Sequence, residues 1–405
     1  MIRKSISVLL ATVFLLSMAA CSKEDPQETE QISVETSATD TSASEETNPA
    51  ATEEAASTDQ TEATQAAPEG LVDPNSEYAV NPLTGVQDMD KANEGKRSVG
   101  IVVSNVQAAI PQRGVSTPDV IYEYITEGGV TRLLCVYSDI KDMPEIGSLR
   151  SGRIVSADLA NGNNSIYIHF GREPRAVKYF AQNKITHIDG NYLCTGKMSS
   201  SDYNGYIQLP KGTYFWRDRT WASKRAIEHT AVTDGVHVKE AIEAKKIKFE
   251  GKAPFLYNFV PDNSKDIAGG EDCTYVKAVL SSYMKNCVFE YNAEDGLYYH
   301  YQYGKAQKDE TNGQQVAVKN VFILFARTGP ANTDGRTNVY LDEGGEGYYL
   351  SNGKKIHVKW TKKASNEQIK IYNDAGEEVE VNRGKSYIAI GSKGNYSKIK
   401  FTKED

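Results

Sequence analysis

The chain has 405 residues, with 46 basic and 54 acidic side chains and a formal charge of −8, which excludes the strongly basic profile of a dedicated nucleic-acid binder. The charge is unevenly spread. Residues 22–77 carry 15 acidic side chains against Lys23 alone, so that, with Arg3 and Lys4 also set aside, Tyr78 to Asp405 is formally +4, a balance compatible with anionic surface polymers or lipid headgroups.

The N-terminus has the three parts of a secretion signal: Arg3 and Lys4, an apolar run from Ile6 to Leu16, and the small residues Ala19 and Ala20 before Cys21. The run is shorter than the roughly 20 residues that spanning requires, and no later segment could cross a bilayer. A cysteine directly after two small residues is a bacterial lipobox pattern, which predicts cleavage after residue 20 and acylation of Cys21. Residues 21–77 then form a tether. Glu, Asp, Ser, Thr, Ala and Gln dominate it, and they cannot bury enough apolar surface to offset ordering entropy. The expected location is the outer face of the cell membrane, where disulfides are permitted; Cys135, Cys194, Cys273 and Cys287 allow three pairings, which remain open. Cys135, among Leu133, Leu134 and Val136, reads as a buried small hydrophobe.

From 78 to 240 short apolar runs alternate with helical patterns, as in an α/β or α+β domain. Strands are predicted over Ser98–Ser104, Asp119–Thr126 and Val130–Tyr137, with Glu127, Gly128 and Gly129 forming a tight hairpin. After a turn at Asp139–Pro144, Glu145–Leu149 is expected to return antiparallel to the strand it left. That places Arg150 opposite Leu133, beside Arg132. A helix is expected from Ser151, its free N–H groups favouring an anion. Another strand, Ser165–Phe170, leads through Gly171 and Arg172 into a helix with Pro174 in its first turn. Beyond the segment Tyr214–Trp221 a helix is expected around Lys224–His229, and Ala241–Lys248 reads either as a basic helical connector or as a short surface helix of the first domain.

From 241 to 405 the character becomes mainly β, with strands at Thr274–Leu280, Cys287–Tyr291, Leu297–Tyr303, Val316–Ala326, Gly347–Leu350, Lys355–Trp360, Gln368–Tyr372 and Ser386–Ile390. Turns such as Asn352-Gly353 and Asp374-Ala375-Gly376 separate them at hairpin spacing.

Glu127, Arg132, Arg150 and Arg153, with Arg172 and Arg175 as neighbours, form the main candidate site. Guanidinium forks around a helix start suit phosphate or pyrophosphate, and Ser151 sits at that start. Glu127 could take a proton or hold a metal in phosphoryl transfer; the alternative is a solvated hairpin tip with structural arginines. His169, ending a strand before Gly171, is a candidate general base or a packed histidine. Arg217 and Arg219, flanked by Trp216 and Trp221, could line a glycan or lipid-facing groove or cover a core edge. Tyr299, Tyr301 and Tyr303 share a strand face, suited to sugar rings or to cross-strand pairing. The six histidines show no zinc-ligand spacing, and Asp262, Ser264 and Asp266 lack the glycine and closing glutamate of a calcium loop, so no metal site is predicted. No Walker loop, nucleophile elbow or dinucleotide fingerprint occurs, and no cofactor is implied.

PQRG (Pro111–Gly114), PDVIYEYITEGGVTR (Pro118–Arg132), IGSLRSGR (Ile146–Arg153), IYIHFG (Ile166–Gly171), FWRD, and the later runs GQQVAVKNVFILF (Gly313–Phe325) and NRGKSYIAI (Asn382–Ile390) resemble, in order, the two-domain YerB-like bacterial lipoproteins. The resemblance implies an anchored extracytoplasmic location and this architecture without a reaction. Two departures stand out: Ser148 and Leu149 replace a usual proline, and Glu228-His229-Thr230 replaces Pro-His-Asn. The order of parts is also similar to the layout of LytR-CpsA-Psr phosphotransferases, although Thr131-Arg132-Leu133 lacks their metal-binding carboxylate.

The combined expectation is a membrane-anchored envelope protein that binds an anionic wall polymer or glycan through the arginine cluster. The alternatives are a phosphotransferase-like enzyme on lipid-linked wall precursors and a scaffold for envelope proteins; nucleic acid is not an expected partner.

Overall fold

The computed structural model describes residues 70–193, 214–251, 253–263, 267, 269–281, 286–331 and 335–403. Cys21, the expected signal and tether up to residue 69, Cys194, Ser264 and Asp266 lie outside them.

Short apolar runs rich in Val, Ile, Leu and Tyr start each central strand, and the burial pattern shows why they stay. β1 (Val99–Ser104), β2 (Val120–Ile125) and β3 (Thr131–Tyr137) are buried along their whole length. Val99, Ile101 and Val103 enter one core while Val102 enters the other. A sheet covered on both faces needs apolar residues at both parities, which is why these strands read as continuous rather than alternating runs. The β2–β3 turn holds Gly128 and Gly129 at φ 61° and 74°, where a side chain would be strained.

The first region continues with β4 (Ile146–Gly147), α1 (Ile154–Gly162), β5 (Ile166–His169), α2 (Pro174–Gln182), β6 (His187–Asp189), β7 (Trp216–Arg217), β8 (Ala231–Thr233) and α3 (Gly235–Ala244). The second is mainly β, with β9 (Tyr275–Val279), β10 (Asn286–Asn292), β11 (Leu297–Gln302), β12 (Asn320–Pro330), β13 (Gly345–Ser351), β14 (Lys354–Thr361) and β15 (Ser386–Ser392) as its main strands. No helix among the described residues is long and apolar enough to cross a membrane.

One mixed sheet runs through both regions, in the order β14-β13-β12-β15-β2-β3-β1-β5-β6. The join is β15, parallel to β12 on one side and to β2 on the other, with Ile388 opposite both Phe322 and Tyr122. Helices α1 and α2 contribute to one core; α3 and the small sheet β9-β10-β11 contribute to the opposite one.

Several predicted elements shift. The return after Tyr137 pairs with β1 rather than with β3: Leu149 bridges Val103, and the Arg150 N–H donates to the Val102 carbonyl at 3.0 Å. Ile146–Gly147 pairs instead with β8. β3 is already hydrogen-bonded on both edges, to β1 and β2, so no edge was left for a returning strand. The helix expected from Ser151 begins at Ile154, with extended Arg153 as its N-cap. The span Lys224–His229 holds only a 3-10 turn, Ile227–His229, with a short helix, Arg219–Ala222, ahead of it; the helix expected over Ala241–Lys248 spans Gly235–Ala244. Leu71 is 2% exposed within the second core, so packing begins ahead of Tyr78.

The loop that follows β11 is tied to the first region by Asp309. Its carboxylate accepts from Gly114 N (3.0 Å), Ser116 N (2.9 Å), Ser116 Oγ (2.8 Å), Thr311 N (2.9 Å) and Thr311 Oγ1 (2.6 Å). Burial pushes this carboxyl up, but the bonds from Thr311 and Ser116 outweigh it and hold the pKa below its ordinary value. A depressed folded pKa gives stability that is complete above the unfolded value, roughly 3.9, and disappears as pH falls through the folded one. Asp309→Asn is therefore expected to cost about 1–3 kcal/mol at neutral pH, and the gap in urea midpoint between variant and parent should close as pH drops below about 4.

Candidate functional site

β1, β5 and β6 are parallel neighbours, so their carboxyl ends, at Ser104, His169 and Asp189, lie along one edge of the sheet. Edges of this kind are where α/β sheets present ligand groups. Arg132, at the start of antiparallel β3, pairs with Ser104 and reaches the same edge. The segment from Leu149 to Gly152 crosses it, with the Phe170 N–H donating to the Arg150 carbonyl at 2.9 Å and Gly152 N to the Gly171 carbonyl at 2.9 Å. Arg132, Arg150 and Arg153 thus meet here even though the strand pairing differs from the one expected.

Glu127 organises the inner part of the cluster. Arg153 donates to both of its oxygens, from Nε at 3.0 Å and from Nη2 at 2.7 Å, and Arg132 Nη2 also donates to Oε1. Both Nη1 atoms are used too: Arg132 Nη1 donates to the Ser151 carbonyl, and Arg153 Nη1 to the Gly152 carbonyl at 2.9 Å. Burial pushes the Arg132 guanidinium down to about 10, helped by neighbouring Arg153 and opposed by Glu127. Burial raises the Glu127 carboxyl, yet the two guanidiniums win and hold it below the usual carboxylate range. Ser151 contributes its main-chain oxygen rather than a helix N–H. The actual helix start is held by the chain's own anion, with Ile154 N donating to Glu173 Oε1 at 3.1 Å and Arg175 pairing with Glu173 at 3.1 Å.

The outer part is looser. Arg150 is 27% exposed, and its side-chain partner among the described residues is Glu228, itself 54% exposed, at 3.1 Å. His229 Nε2 lies 3.4 Å from the same carboxylate, and its Nδ1 is buried without a hydrogen-bond partner among the described residues. Burial, and then the Arg150 charge, lower the His229 pKa, which keeps the ring neutral. Arg217 stacks on Phe170 at 4.7 Å and donates to the Ile227 carbonyl. Arg219 is exposed at the start of its short helix. Trp221 is 1% exposed between Arg113 and Arg225, at 4.2 and 4.1 Å, so it covers core rather than lining a groove.

His169 is fully buried. Its Nδ1 contacts the Gly171 carbonyl at 2.7 Å and its Nε2 contacts His187 Nδ1 at 3.0 Å, so both ring nitrogens are engaged. Burial pushes its pKa down to about 4 against the pull of Asp189. Arg172 pairs with Asp189 at 2.5 Å, and Asp189 also accepts from Gly171 N at 2.8 Å.

A second polar group, which no spacing in the sequence signals, lies elsewhere. Tyr299 and Tyr301 occupy the outer face of β11, leaving Tyr298, His300 and Gln302 on the buried face; Tyr303, expected on the same face, lies in the turn beyond the strand, its hydroxyl donating to the Asn105 carbonyl at 2.9 Å. There His300 meets Cys287 of β10 and Glu123 of β2. A histidine and a glutamine at the buried parity of a tyrosine strand was the available clue.

Residues 83–248 match the family described as "Protein of unknown function (DUF3048) N-terminal domain", and residues 277–388 match its C-terminal domain. The chain belongs to this family. A relative from Bacillus subtilis (strain 168), described as "Putative lipoprotein YerB", is 29% identical over 313 residues, which is 76% of this chain and 85% of that protein. The crystal structure of the YerB protein from Bacillus subtilis is similar to this fold with a TM-score of 0.66 at 25% identity, covering 80% of this chain and 99% of that one. In DUF3048 terms, the arginine edge lies within the N-terminal domain, whereas Glu123 belongs to the N-terminal and Cys287 and His300 to the C-terminal domain.

Proposed function

We propose that this chain is a lipid-anchored envelope protein, tethered through Cys21, whose arginine-lined sheet edge holds an anionic ligand such as a phosphate-bearing wall polymer. The lipobox pattern and the name carried by the Bacillus relative support the anchor. The observation that carries the ligand reading is the state of Arg150. Its guanidinium is partly exposed and held by one exposed carboxylate, a class of pair worth only about 0–1 kcal/mol and readily displaced by a stronger anion. Behind it Arg132 and Arg153, locked on Glu127, add fixed positive charge without spending conformational entropy on binding. Chemistry on a bound phosphate would need a base, and both oxygens of Glu127 are already hydrogen-bonded to guanidiniums. The reading therefore stays with binding.

The test is equilibrium binding of the purified full-length protein to poly(glycerol phosphate), with neutral dextran as the control. Arg150→Ala is expected to weaken binding about tenfold or more, the loss of one charged hydrogen bond at roughly 1.5–3 kcal/mol. Glu228→Gln should tighten it by freeing Arg150. Equal affinity in all three proteins, or equal affinity for dextran, would sink the proposal.

A further inference from the structure

The buried group between the two sheets has a built geometry of its own. Glu123, Cys287 and His300 are each 0% exposed, and one ligating atom of each lies within 4.8 Å of the other two. Cys287 Sγ is 3.3 Å from His300 Nε2. Glu123 Oε1 accepts from Thr131 Oγ1 at 2.6 Å and from Asn105 Nδ2 at 2.8 Å, while its Oε2 accepts from Tyr387 Oη at 2.8 Å.

The tautomer of His300 follows from a chain of amides. Asn105 turns its amide nitrogen towards Glu123 Oε1 and Thr131 Oγ1. Its oxygen then accepts from Gln112 Nε2 at 2.8 Å, the Gln112 oxygen accepts from Gln307 Nε2 at 3.2 Å, and the Gln307 oxygen is left facing His300 Nδ1 at 2.6 Å. Gln112 Nε2 also donates to the Ser104 carbonyl at 3.1 Å, which fixes that amide the same way from a second direction. His300 consequently carries its proton on Nδ1 and offers the Nε2 lone pair to Cys287. A histidine whose far nitrogen donates to a fixed oxygen is the arrangement of metal-ligating imidazoles.

We propose that Glu123, Cys287 and His300 bind one divalent transition metal, for which zinc best suits a set of one oxygen, one sulfur and one nitrogen. On binding, the metal–sulfur bond replaces the Cys287 S–H bond and the proton leaves to solvent. Thiolate and carboxylate then balance the two positive charges where water does not reach. Glu123 comes from the N-terminal and the other two ligands from the C-terminal family domain, so the ion would rivet the two together.

The test uses the purified full-length protein, loaded with Zn2+, exchanged into metal-free buffer and assayed by elemental mass spectrometry and thermal melting. The expected result is about one zinc per chain, a melting temperature that falls on chelation, and a near-ultraviolet thiolate-to-metal band after Co2+ replacement. Cys287→Ser and His300→Gln should lose the zinc and the response to chelator. Gln307→Leu, which leaves the ligands intact, should weaken zinc affinity about 10–100-fold. If the two ligand variants fail to fold, the parent protein decides alone: no retained zinc, no thiolate band and no shift on chelation overturn the site. Zinc retained undiminished in folded Cys287→Ser overturns it as well.

Discussion

Glu127→Ala is expected to destabilise the protein by about 3 kcal/mol, because it strands two guanidiniums side by side. Arg132 and Arg153 have side chains only 4% and 11% exposed, and Glu127 is the carboxylate they share. Removing one partner of a buried pair costs roughly 3–5 kcal/mol, since the remaining charge stays desolvated; Glu127 itself is 33% exposed, which places the effect at the lower end. Arg132→Leu should cost less, about 1–2 kcal/mol, because Glu127 keeps both hydrogen bonds from Arg153. The sign with pH is fixed by the depressed Glu127 pKa. Its contribution is complete above the unfolded value of roughly 4.3 and is lost as pH falls through the lower folded value. Urea melts at pH 7 and pH 3 therefore provide the check. A Glu127→Ala protein within about 1 kcal/mol of the parent at pH 7 would show that the arginines find other partners.

Phe322→Ala is expected to cost about 3–5 kcal/mol and to weaken both family domains together. Phe322 is 0% exposed and stacks between Tyr349, at 4.6 Å, and Tyr257, at 5.0 Å. Its strand, β12, is also the neighbour of β15, through which the sheet passes into β2. Splitting the sheet at β15 would expose two rows of unpaired backbone groups, so the unfolded edge of one domain cannot coexist cheaply with the folded edge of the other. Hydrogen exchange should show protection at β1 to β3 falling in step with β12. Two separate thermal transitions, with only the later one moved by Phe322→Ala, would mean that the domains fold independently despite the shared sheet.

The β elements were the most legible part of this chain. β1, β2 and β3 follow directly from short apolar runs bounded by glycine and proline, β9 to β11 from alternation between hairpin turns, and β12 and β15 from continuous apolar runs. Pairing was less legible. The stretch around Ile146 is too short to choose a partner by its own pattern, and the vacant edges available to it depend on where β1 and β2 had already gone. Helix starts were misplaced for a related reason: Ser151 has the right residue type, but its carbonyl is claimed by Arg132, and Glu173, which holds the true start, is distant in sequence.

The signal and lipobox pattern, the acidic composition of residues 22–77, the family, and the residue types that gather at the arginine edge are all legible before folding, because each is written in local composition or contiguous motif. Packing settled that Arg132 and Arg153 are buried on Glu127 while Arg150 pairs with an exposed carboxylate, and it brought Glu123 to Cys287 and His300. Charge and hydrogen-bond satisfaction are settled between residues far apart in the chain, and only packing determines which of them meet.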